Sequence, residues 1–65
     1  MARYTNWYLI EIHCQPRSRY TVSDKQPPFE NIPWPCTVER TFRGKTAEQS
    51  ARAESQRLNN EADRA

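Results

Sequence analysis

Large apolar residues crowd the start of the chain, and their spacing changes from strand-like to helix-like before the end. Residues 4–14, Tyr4 to Cys14, are dominated by Trp, Tyr, Leu and Ile and contain neither Gly nor Pro. That composition predicts a strand. Alternation places Tyr8, Ile10, Ile12 and Cys14 on one face and Trp7, Leu9, Glu11 and His13 on the other. The first face is uniformly apolar and is expected to meet the core. The second begins apolar and turns polar, as a face partly open to water would. Pro16 stops the strand because it has no N–H to give a ladder. Residues 17–19 are basic and polar, and residues 20–23 fit a short second strand.

Residues 24–35 break every period. All of the chain's five prolines except Pro16 lie here: Pro27, Pro28, Pro33 and Pro35. Each fixes φ and removes a donor, and each pushes the residue before it towards extended backbone, so a stiff loop is expected. Phe29, Ile32 and Trp34 punctuate it. Residues 36–43 return to a strand pattern, with Cys36, Val38, Arg40 and Phe42 on one face and Thr37, Glu39, Thr41 and Arg43 on the other. Arg40 interrupts the apolar side. Gly44, the single glycine, supplies a turn.

Thr46 is a good N-cap, and Gln49 three residues on completes a capping-box pattern. Residues 47–63 are then rich in Ala, Glu, Gln and Arg, which are strong helix formers. Glu48 and Arg52 stand in the favourable i, i+4 order. Ala47, Ala51, Ser55, Leu58 and Ala62 form a stripe of mostly small residues, suited to close approach to a sheet. Asn59 and Asn60 are expected to fray its end. Together these elements predict one α+β domain over residues 1–65, an antiparallel sheet of two or three strands with a C-terminal helix packed on it.

Composition changes this picture in one respect. Hydrophobic residues make up 35% of the 65, against about 45–50% (counting Gly) in ordinary globular domains. Such a short chain buries little of its surface. The domain is therefore thinly cored, stapled, or completed by a partner or a second copy. Net charge is only +2, and the basic excess lies before the helix. The helix carries Glu48, Glu54 and Glu61 against Arg52, Arg57 and Arg64, a mixed and solvated face. No run of apolar residues is long enough for a membrane span, and the polar N-terminus lacks a signal-peptide core. The expectation is a cytoplasmic protein with Cys14 and Cys36 reduced. A Cys14–Cys36 bridge stays open as the alternative; it would close a loop worth about 3 kcal/mol.

The residues that carry chemistry are few. A nucleophile needs a base beside it. The lone histidine, His13, adjoins Cys14, but neighbours on a strand point to opposite faces. A structural zinc site wants four Cys or His ligands in short paired spacings, and only three such residues exist. No cofactor motif, catalytic set or metal shell is present, so the chain is expected to act by binding rather than as an enzyme.

Two surfaces are candidates for that binding. The first is the Pro-flanked loop, where Trp34 and Phe29 would be rigid anchors that lose little entropy on docking. Trp7, Arg17 and Arg19 join this set as expected contacts with a larger protein assembly. The second is the sheet with its basic residues Arg17, Arg19, Arg40, Arg43 and Lys45 interleaved with Tyr4, Trp7 and Tyr20, a charge-plus-stacking pattern for nucleic acid. A homodimer is a further alternative.

Thr41-Phe42-Arg43-Gly44-Lys45-Thr46-Ala47-Glu48-Gln49-Ser50-Ala51 resembles the strand-to-helix junction of the arm-type DNA-binding domains of phage integrases. That resemblance implies a three-stranded sheet entering the major groove; the Pro-rich loop departs from the pattern. As a short chain without a catalytic set, the protein is also similar in class to small phage-encoded inhibitors such as anti-CRISPR proteins. That similarity implies an inhibitor that blocks a protein or ribonucleoprotein complex, and it assigns no residue.

Overall fold

The computed structural model describes residues 5–64, and Tyr4 of the expected first strand and basic surface lies outside them. Three strands and one helix follow in chain order: β1 (Trp7–Ile12), β2 (Arg19–Ser23), β3 (Cys36–Phe42) and α1 (Ala47–Arg64). The sheet is antiparallel throughout, with β1 at its centre between β2 and β3. The α+β arrangement with a C-terminal helix packed on the sheet is the expected one.

β1 is shorter than residues 4–14. Its far end is set by a tight turn, in which the Cys14 amide donates back to the Ile12 carbonyl at 2.9 Å. A three-residue turn of this kind takes the chain out of the ladder. The His13 amide still donates across to Pro35 at 2.8 Å, which ties the end of the proline loop to the sheet.

Successive residues of β1 point to opposite faces, yet Leu9 is 2% exposed and Ile10 is fully buried. Both faces of the sheet are therefore covered. The helix takes the face of Trp7 and Leu9. Arg52 lies over the Trp7 ring at 5.7 Å, and Glu54 reaches Arg40, the cross-strand partner of Leu9. The proline loop takes the face of Tyr8, Ile10 and Ile12. Gln26 donates to the Tyr8 hydroxyl, and Phe29 and Ile32 line recesses with Thr21 and Cys36, the partners of Ile10 and Ile12. The face expected to be half open to water is thus the one the helix covers.

The register explains a second departure. Leu9 pairs with Arg40, but Ile10 pairs with Val38, so the ladder skips Glu39. A bulge of this kind sets two residues against one and breaks the alternation of its strand. Cys36 and Val38 consequently join the loop-covered face with Ile12 and Ile10. Arg40 and Phe42 join the helix-covered face with Leu9 and Trp7. The four residues expected on one face are divided between two, and Arg40 interrupts nothing: it stacks on Phe42 at 4.9 Å and meets Glu54 at 3.7 Å.

The helix begins where the sequence predicts. Thr46 occupies the N-cap, its carbonyl accepting the first helical bond from Ser50 at 2.9 Å. Gly44 adopts φ +98°, the left-handed region in which a glycine carries no steric penalty. Ala47, Ala51 and Ser55 are the buried residues of the helix, so the small-residue stripe brings it close to the sheet. Its end does not fray at Asn59. The Asn59 side chain accepts from the Tyr20 amide at 2.9 Å and donates to the Tyr20 carbonyl at 3.0 Å. Ser55 donates to the same carbonyl at 3.2 Å. Tyr20 lies in an edge strand, and the helix here supplies the amide group that a further strand would otherwise provide. The β3 edge carries the bulge together with Glu39 and Arg40, devices that discourage pairing with another strand.

Candidate docking surface

The proline loop fixes its own backbone before it presents any side chain. Ile32 donates to the Phe29 carbonyl at 3.3 Å, and the Pro35 carbonyl is held by His13. The Cys36 thiol donates to the Trp34 carbonyl at 3.4 Å. Phe29 and Ile32 are half-buried, while Trp34 is 43% exposed and its neighbours Pro33 and Pro35 are exposed too. Trp34 borders a recess of about 250 Å³ floored by Phe29, Ile32 and Cys36. Val38, 38% exposed, follows on the same face of the sheet. Trp34 and Val38 are the exposed large hydrophobic residues among those described.

The other residues expected at a single contact surface are dispersed. Trp7 lies on the opposite face of the sheet from the loop, half-buried beneath Arg52. Arg17 donates to the Ala62 carbonyl in the last turn of the helix. Arg19 pairs with Asp63 at 3.1 Å. Both arginines thus fasten the helix end, where a cation is favoured by the helix dipole. Arg40 is engaged by Glu54 and Phe42, and Arg43 is exposed. The structure brings Trp34 and Phe29 together and does not gather Arg17, Arg19, Arg40 and Arg43 into one patch with them.

The cysteines are unbridged. The Cys14 thiol donates to the Arg17 carbonyl at 3.2 Å and the Cys36 thiol to Trp34, so neither is directed at the His13 ring. That ring meets Thr37 Oγ1 at 3.0 Å through Nε2, and lies 3.7 Å from Glu11 through Nδ1. Among the described residues, no three His, Cys, Asp or Glu side chains are arranged to hold a metal ion, and no helix is long and apolar enough to cross a membrane.

A polar cluster beside His13 was not foreseen. The carboxyl groups of Glu11 and Glu39 influence each other, an interaction that lowers Glu11 from the ordinary carboxylate range and raises Glu39. The Ser18 side chain also lowers Glu11, and desolvation opposes it. Tyr20 is raised by burial first and by the nearby carboxylates second. Strict alternation already sets Glu39 and Glu11 on polar faces. The register pairs Glu11 with Thr37 and leaves Glu39 two residues further along β3, at the bulge.

No protein-family model, no curated protein and no solved structure matches this chain.

Proposed function

We propose that the chain is a non-enzymatic binding protein that docks on a larger protein or ribonucleoprotein assembly and blocks it, as small phage-encoded inhibitors do, with Trp34 as its anchor. The observation that carries this reading is the exposure of Trp34 on a backbone pinned on both sides. Burying a Trp side chain removes roughly 150–250 Å² from water. This chain has little apolar surface to spare and still leaves Trp34 43% exposed. A rigid aromatic so placed loses little entropy when a partner covers it, and Trp is among the residue types enriched at interface hot spots. Phe29, at the floor of the same recess, supports the ring rather than replacing it.

Two observations favour a protein partner over nucleic acid. The arm-type domains use a sheet face for the groove, whereas here the helix and the loop cover both faces. Arg17, Arg19 and Arg40 are also occupied within the chain.

The test compares wild type with Trp34→Ala against the captured partner assembly. Affinity is expected to fall by about 2 kcal/mol or more, roughly 30-fold, with the fold unchanged. Unchanged affinity in a folded variant removes Trp34 from the interface. A salt-series titration with labelled DNA and RNA decides the other reading. Binding that weakens linearly in log salt, and is indifferent to Trp34→Ala, would establish nucleic acid as the ligand.

A further inference from the structure

The two edges of the sheet are unequally protected. β3 carries its bulge and the charges of Glu39 and Arg40. β2 runs Tyr20-Thr21-Val22-Ser23 beyond Arg19, in unbroken register with β1 and with neither charge nor proline. Such an aromatic and β-branched edge readily accepts a further strand. Asn59 closes it at Tyr20, where it bonds both the amide and the carbonyl. Those two groups therefore face away from β1. In an antiparallel ladder the direction repeats every second residue, so the amide and carbonyl of Val22 face outwards as well. Among the described residues, neither is bonded.

A hollow lies on each side of this open pair. Val22 stands opposite Leu9, on the helix-covered face, and Thr21 stands opposite Ile10, on the loop-covered face. On the helix side, a hollow of about 420 Å³ separates Val22 from Arg52, Gln56 and Asn60, and no carboxylate lines it. On the loop side, a hollow of about 180 Å³ separates Val22 from Phe29 and Ile32. Successive side chains of a strand laid along β2 would enter the two hollows in turn.

We propose that the β2 edge at Val22 takes an extended segment of a partner protein, antiparallel to β2, with an acidic side chain directed at Arg52 and Gln56 and an apolar neighbour directed at Phe29 and Ile32. Val22 offers one donor and one acceptor in the plane of the sheet, and the backbone of a single residue answers both. Strand addition of this kind draws affinity from the main chain and specificity from alternate side-chain pockets. A carboxylate complements the helix-side hollow, where Arg52 brings a positive charge and Gln56 and Asn60 bring amide donors. Glu48 engages Nε and Nη2 of Arg52 in an exposed pair, which leaves Nη1 for a ligand. A second copy of this chain fits the edge poorly. Two β2 strands paired antiparallel would bring both helices to the same face, and each helix already overhangs its own edge through Asn59.

This edge does not rest on the Trp34 reading, and its test uses neither Trp34 nor a captured assembly. The probe is a capped synthetic peptide of alternating valine and glutamate, titrated into the isotopically labelled whole chain and followed by NMR. Saturable binding is expected, with the Val22 amide moving downfield and exchanging several-fold more slowly. The Tyr20 amide, already bonded to Asn59, should change little. The glutamate that faces Val22 supplies the new backbone bonds, so N-methylation of the glutamate amides should weaken binding about tenfold or more. N-methylation of the valine amides, which point away from β2, should be tolerated. Lysine in place of glutamate should weaken binding several-fold, and Gln56→Glu on the exposed helix face should reverse that preference. Absence of a saturable shift at Val22 overturns the proposal. So does equal binding by the peptide methylated at glutamate, or equal binding of the glutamate and lysine peptides to wild type. A Val22 shift that grows with protein concentration in the absence of peptide would assign the edge to a second copy and overturn it too.

Discussion

At the scale of single residues, the backbone makes its sharpest demand at Gly44. Its φ of +98° lies where L side chains are strained, yet a Cβ built there meets nothing within 4 Å. The cost of Gly44→Ala is therefore backbone strain without a clash, about 1 kcal/mol or slightly more. Urea denaturation should show a lowered midpoint with an unchanged slope. A midpoint equal to wild type would mean that the turn relaxes to negative φ at no cost. Trp34 is a contrasting case. Its position is legible in sequence because prolines stiffen the segment around it, but whether the ring faces inwards or outwards is decided by tertiary contacts. Arg17 and Arg19 read as free cations in sequence. They are not free, because the helix end that engages them lies more than forty residues along the chain.

At the scale of elements, the strands and the helix could be read from period and punctuation: alternation, carried to Cys14 and so two residues past the end of β1, prolines through the loop, and an Ala-rich run after Thr46. The bulge could not. Nothing local at Glu39 marks it, since it arises from how β3 must shift to keep both Val38 and Arg40 beside β1. A strict period-2 reading therefore assigned Cys36, Val38, Arg40 and Phe42 to one face. The union of helix and sheet edge was equally hidden, because Asn59 read as a weak helix former. Its true role makes a test. Asn59→Ala removes both bonds to Tyr20 at a part-buried edge, leaving the carbonyl to Ser55 alone. A loss of about 1–2 kcal/mol is expected. Asn59→Asp retains the acceptor but turns an anion towards the Tyr20 carbonyl, so it should be at least as destabilised. Thermal unfolding of the two variants checks the order, and an aspartate variant as stable as wild type would show that the edge is held by Ser55.

At the scale of the whole molecule, the fold is a slab of 45 × 27 × 15 Å. Among the described residues, its buried apolar ones are Leu9, Ile10, Ala47 and Ala51. So thin a body cannot afford an ornamental layer. The proline loop, which composition alone would class as a connector, is the cover for Ile10 and thus belongs to the folding unit. Phe29 is the test of that claim, because it is large, half-buried and far in sequence from the helix. Truncating a fully buried Phe costs about 3–5 kcal/mol. The half-buried ring should contribute less, about 2 kcal/mol, still a large share of the stability of a small domain. If the loop is part of the core, Phe29→Ala should lower the urea midpoint of the whole chain. Far-ultraviolet circular dichroism and tryptophan fluorescence should then report one coincident transition. If the loop were an appendage, fluorescence from Trp34 would change early and the dichroism midpoint would stay at the wild-type value. That outcome would leave Ile10 buried by something other than Phe29, and would return the loop to the class of connector that its prolines first suggest.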